Sequence, residues 1–172
     1  MGRPEWGLCA RCVASGTTNA AAGARLLAAA RSAGTPVVHV VNDGGAGTPY
    51  DIRAEIGAIS GEVAPADGES VVVKQVPNAF HGTGLERTLR DLDTGPDLIL
   101  AGFMTHMCVT FTAQGAFNLG YRPTVVAEAT ATRALPTPDG AVTPAETLQS
   151  ASLTTIADLF GLVVPTVAHL AG

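Results

Sequence analysis

A chain of 172 residues, 47% hydrophobic and only 15% charged, has the size and apolar content of one globular domain with a single substantial core. A formal net charge of −5 supplies no basic footprint and argues against nucleic acid and anionic membranes as partners. No apolar run approaches a membrane span, no signal-peptide core opens the chain, and three cysteines do not describe a disulfide framework, so the expected compartment is the reducing cytoplasm.

Residues 1–18 are atypical and residues 19–172 read as the domain proper. Cys9-Ala-Arg-Cys12 has the spacing of a metal knuckle, but no second Cys/His pair exists to complete a tetrahedral site. A surface loop, or a poor strand over Leu8 to Val13, is the expectation there. Asn19 to Ala33, rich in Ala and Leu, is a predicted helix stopped by Gly34 with Pro36 beyond it. Val37 to Val41 follows as a buried strand, with His39 inside it as a satisfied core histidine, and Asn42-Asp-Gly-Gly45 makes a turn. Residues 46–69 read as loop with one helical turn near Ile52. Ser70 to Val73 is the next strand, and Lys74, the only lysine of the chain, sits at its end. Thr83-x-x-Glu86 is a capping box for a helix to about Leu92.

Leu98 to Ala101 has the length and apolar content of a buried parallel strand, broken by Gly102. Thr105 is placed to cap a helix whose inward positions are Val109, Thr112, Ala113, Ala116 and Phe117, with Gly120 as its left-handed stop. Cys108 then lies at the top of a strand in the first turn of a helix, where backbone N–H groups and the positive dipole end favour a thiolate. Thr124 to Ala127 is a further strand, 128–139 a proline-containing loop, Thr143-Pro144 the start of a helix to Phe160, and Leu162 to Val164 the last strand. Alternating apolar strands and helices give an α/β class, a three-layer α/β/α sandwich around a parallel sheet covered on both faces. Ligands bind outside the carboxyl ends of such strands, and Asn42-Asp43, Lys74 and Cys108 all fall there.

The segment Gly102-x-x-Thr105-x-x-Cys108-Val109-x-x-Thr112-Ala113-x-x-Ala116-x-x-x-Gly120-Tyr121 resembles the nucleophile segment of the isochorismatase-like cysteine hydrolases. Val71-Val-Val-Lys74-x-x-x-Asn78-Ala-Phe80, with Gly82-Thr-x-Leu85 after it, is similar to the lysine segment of the same superfamily. The resemblance extends from about Asn19 to Val164. It implies the doubly wound strand order 3-2-1-4-5-6 and an Asp-Lys-Cys triad with Cys108 as nucleophile and Lys74 in support. It further implies an oxyanion hole from the backbone N–H groups of Met104 and Cys108, with a cis peptide between Phe103 and Met104. Phe80 and Phe103 are expected to wall the pocket. The implied reaction is hydrolysis of a small amide, ureido or carbamoyl compound through an acyl-enzyme, with no cofactor and no metal. A cysteine favours this over the vinyl-ether cleavage of true isochorismatases.

The family's aspartate, carried at the end of the first strand, has no match upstream of Asn19, so that strand is missing or atypical. Glu5 and Asp43 are the stand-ins the chain offers, and a catalytically impaired protein on the same fold is the rival expectation. A start displaced from the natural one is the leading explanation for the departure. The charge-poor composition further predicts a homo-oligomer with a small molecule as substrate.

Overall fold

Apolar side chains recurring at every second strand residue decide how the layers stack, because successive side chains point to opposite faces of a sheet. The computed structural model describes Glu5–Trp6 and residues 17–171. In chain order the elements are β1 (Glu5–Trp6), α1 (Thr17–Ser32), β2 (Val38–Asn42), β3 (Ser70–Lys74), α2 (Leu85–Asp91), β4 (Asp97–Phe103), α3 (Thr110–Asn118), β5 (Arg122–Ala131), β6 (Leu135–Pro136), β7 (Val142–Thr143), α4 (Ala145–Thr155) and β8 (Leu162–Val164). Leu98 and Leu100 of β4 and Val125 of β5 join Val38, Val40 and Val72 in one core, closed by Leu85 and Leu89 of α2 and Ala113 and Ala116 of α3. The alternate residues Ile99, Ala101, Val126 and Ala129 face the other way, onto Ala22, Leu26, Leu27 and Ala30 of α1. Helices thus cover both faces of β4 and β5, as the sequence predicts for its parallel strands.

The described strands pair in the order β1-β4-β5-β8 and, separately, β2-β3, all parallel, with β6-β7 a small antiparallel hairpin. The first core cluster takes residues from both parallel groups. Any strand over Leu8 to Val13, and the Cys9/Cys12 pair, lie outside the described residues. Glu5 pairs with Leu98 at the start of β4, far from the strand's carboxyl end.

Several local expectations are corrected. Cover is incomplete on β3, where Val71 and Val73 remain 48% and 47% exposed; the apolar stripe of α1 is taken up by β4 and β5. β5 continues to Ala131 through a register shift opposite Leu100 and Gly102, so part of the expected 128–139 loop is strand, and the rest includes the β6-β7 turn. Thr83 accepts from the N–H of Leu85 rather than closing a box with Glu86, which pairs instead with Arg90 one turn on. In place of one helical turn near Ile52 there are short 3₁₀ turns at Glu55–Gly57 and Gly61–Val63. Gly120 does stop α3, with φ of 84°.

A polar knot ties the back of the sheet to α1. His39 is fully buried, and its Nε2 meets Glu69 Oε2 at 2.7 Å. Arg31 of α1 donates to both oxygens of Glu69 at 2.8 and 2.7 Å, and the Ala66 N–H adds a fourth contact at 2.8 Å. The Arg31 bonds above all hold the Glu69 carboxyl down at about 2 from an ordinary 4.5. Removing the charge by Glu69→Gln should cost about 1.5–3 kcal/mol at neutral pH, the range for hydrogen bonds to charged groups. Because the folded-state value is depressed, this contribution is complete above about pH 4.5 and drains away as pH falls toward about 2. Chemical denaturation of both proteins at neutral pH and near pH 3 checks it; a stability gap that does not narrow in acid counts against the assignment.

Candidate active site

The site begins with register. β2 and β3 run parallel with Asn42 opposite Lys74, and the N–H of Asp43 extends the ladder to the Lys74 carbonyl at 2.8 Å. Partners in register share a face, so Asn42 and Lys74 follow Val38, Val40 and Val72 onto the core side. Lys74 is 2% exposed, unusual for this residue type. Its Nζ donates to Asn42 Oδ1 at 3.0 Å, to the Val76 carbonyl at 3.0 Å and to Cys108 Sγ at 3.2 Å. Those three acceptors match the three N–H bonds of an ammonium group.

Cys108 reaches that point from the other half of the sheet. β4 ends at Phe103, the Phe103–Met104 peptide is cis, and Thr105–Val109 forms a π turn leading into α3. The N–H groups of Met107 and Val109 both donate to the Met104 carbonyl, at 3.0 and 3.2 Å. Thr105 does not cap the turn as the sequence suggests: its hydroxyl is buried with no partner among the described residues, and the Thr110 hydroxyl donates to its carbonyl at 2.6 Å. Cys108 is buried and its thiol is free.

A clip holds the lysine segment against α3. The N–H of Ala79 donates to Thr112 Oγ1 at 3.1 Å, and the Thr83 hydroxyl donates to the Ala79 carbonyl at 2.5 Å. Asn78 packs so close to Gly115 that a Cβ there would collide with the Asn78 amide. Phe80 stacks on Tyr121, centroids 5.6 Å apart, and Phe103 is half-buried at the end of β4.

Of the sequence-predicted site residues, Lys74 and Cys108 meet, and Met104 and Phe103 lie in the turn that delivers the thiol. Asp43 does not join them. Its carboxylate accepts from the Gly45 N–H at 2.9 Å and pairs with Arg53 at 3.1 Å, because the Gly-rich turn points it away along the loop. Glu5 is excluded by its pairing at the opposite end of β4. The sequence reading missed Asn42 as a partner of Lys74; the period-two series Val38, Val40, Asn42 was the signal that it faces inward. His106 touches the Thr132 hydroxyl, and burial, with Arg133 nearby, pushes its imidazole down toward the neutral form. His81 is exposed. Among the described residues no His, Cys, Asp and Glu gather in a group able to hold a metal, and no helix is long and apolar enough to cross a membrane.

A family model described as the isochorismatase domain matches residues 10–167. The chain is 34% identical over 140 residues to the secreted isochorismatase effector Isc1 of Verticillium dahliae, covering 81% of this chain and 70% of that one. It is 37% identical over 111 residues to a streptothricin hydrolase of Streptomyces noursei (64% and 40% covered) and 40% identical over 72 residues to an N-carbamoylsarcosine amidase of Arthrobacter (41% and 26% covered). The crystal structure of an isochorismatase from Pseudomonas putida superimposes with a TM-score of 0.88 at 36% identity, covering 96% of this chain and 89% of that one.

Gly115→Ala should drive a methyl group into Asn78, displace the clip that seats the lysine segment, and destabilise the protein by about 1–3 kcal/mol, as overpacking does. Thermal unfolding measures it; an unchanged midpoint would mean that Asn78 moves aside freely.

Proposed function

The chain belongs to the isochorismatase family of hydrolases, and from that premise we propose that it cleaves a C–N bond of a small amide, ureido or carbamoyl compound through an acyl-enzyme on Cys108. The observation that carries the reading is the 3.2 Å contact between a buried lysine and a buried free cysteine at the carboxyl ends of the strands. A buried ammonium needs a counter-charge, and a thiolate at its side supplies one. The sulfur then attacks the carbonyl carbon. Backbone N–H groups of Met104 and Cys108 receive the developing oxyanion. The leaving nitrogen takes a proton from Lys74 as the C–N bond breaks. Water next cleaves the thioester; of the two protons released with the carboxylate and thiolate, one returns to Lys74 and the other passes to solvent.

The relatives named as a streptothricin hydrolase and an N-carbamoylsarcosine amidase favour C–N chemistry over vinyl-ether cleavage. No metal or cofactor enters this reading. Phe80 and Phe103 contribute apolar wall to the pocket. A free buried thiol suits the reducing cytoplasm, and the exposed Val71, Val73, Leu159 and Leu162 suit a homo-oligomer.

The rival reading, an impaired enzyme, draws on one observation: among the described residues no carboxylate bonds to Lys74, since Asp43 is turned to Gly45 and Arg53. Turnover of a panel of small primary amides, ureido acids and N-carbamoyl amino acids separates the two. The expected result is hydrolysis that falls by about a thousandfold or more in both Cys108→Ala and Lys74→Met. Hydrolysis that survives Cys108→Ala would remove the acyl-enzyme, and no turnover of any member would favour the impaired enzyme.

A further inference from the structure

We propose that Asn42 is a positioning residue for the Lys74–Cys108 pair: its neutral amide oxygen fixes the ammonium without neutralising it, which leaves the Cys108 thiolate as the counter-ion. The inference rests on the reading of Cys108 as nucleophile.

An ammonium group offers three donors and no acceptor, so the Asn42 side chain must present its oxygen, not its NH₂, across the 3.0 Å contact. The Val76 carbonyl takes a second N–H, and it too carries no net charge. One neutral acceptor is held by strand register and the other by the bend that directly follows β3. Asn42 lies in register with Lys74, and Val76 follows two residues after it. Together they aim the third N–H at Cys108 Sγ.

The charged groups around this point are otherwise engaged. Asp43, adjacent in the chain, binds the Gly45 N–H and Arg53. Asp51 binds the N–H groups of Gly47 and Arg53 and the Arg53 guanidinium. His106, on the turn that carries Cys108, faces Thr132, with Arg133 nearby. Among the described residues, therefore, the sulfur is the only atom bonded to Nζ that can take a negative charge. A carboxylate at position 42 would close an ion pair within β2 and β3 and place a like charge beside the thiolate. An amide gives the same hydrogen bond with neither effect.

Asn42→Asp is close to isosteric and keeps an acceptor for Lys74, so a purely structural role would survive it. The test measures the ultraviolet thiolate absorbance at neutral pH as the difference between each protein and its Cys108→Ser counterpart, once in the parent and once with Asn42→Asp. Circular dichroism verifies the fold, and Lys74→Met is the control. The expected result is a difference close to one thiolate in the parent, lost in Lys74→Met and lowered about threefold or more in Asn42→Asp while the fold persists. An undiminished difference in folded Asn42→Asp overturns the proposal, as does a parent with no difference at all. If Asn42→Asp does not fold, Asn42→Ser against Asn42→Val decides: thiolate kept with the hydroxyl and lost with the isopropyl group supports the role, and equal signals overturn it. None of these readouts requires turnover, so failure of the hydrolase reading would appear separately, in the substrate panel.

Discussion

The burial of one ammonium group governs this site. Lys74 is 2% exposed, and removing a charge of that kind from water costs several kcal/mol unless the protein supplies partners. Three acceptors converge on it from three places: the end of β2, the chain just beyond β3 and the turn after β4. None of the three can shift far without leaving a buried donor unmatched. The requirement to satisfy Lys74 therefore ties the two parallel strand groups together at their carboxyl ends, much as the shared apolar core ties them through their middle.

The supporting structure has the same logic. The Ala79–Thr112 bond and the close approach of Asn78 to Gly115 lock the lysine segment to the helix that follows the cysteine. Position is thus set by backbone groups and short side chains, which have little rotational freedom to lose. Apart from Lys74, the charged side chains near these elements find partners of their own: Arg53 gathers Asp43 and Asp51 in the loop, and Glu69 gathers Arg31 and His39 beside α1.

Much of this was legible in the sequence, and the physical reason differs from residue to residue. The strands through Val38, Val72, Leu98 and Val125 could be read because burial on both faces demands uninterrupted apolar runs. Cys108 and Lys74 could be placed at one edge because strand ends and helix starts are signalled by glycine and by a change of period. For Asn42 the period-two series gave the inward direction, but its place in a turn-forming run masked that signal, and only the register with β3 reveals its partner. Thr105 misled for a related reason: a hydroxyl before a helix usually caps it, but here the chain enters through a π turn and the hydroxyl is buried. Asp43 was attractive because it follows a strand that ends at the same edge as Lys74 and Cys108. Its Gly-rich turn directs it toward Arg53, a contact that no local pattern announces.

The place of Lys74 on β3 has a further bearing on how the molecule can be watched. Among the described residues β3 pairs only with β2, and its outward valines lie half in water. A strand held along one side belongs to the less stable part of a sheet and separates in partial openings that leave the rest intact. Since the chain has no second lysine, its one ε-amine is a built-in reporter of those openings. An amine-directed label acquires that nitrogen only while the strand is away from its neighbour, so the rate of modification is a clock for local unfolding at the site.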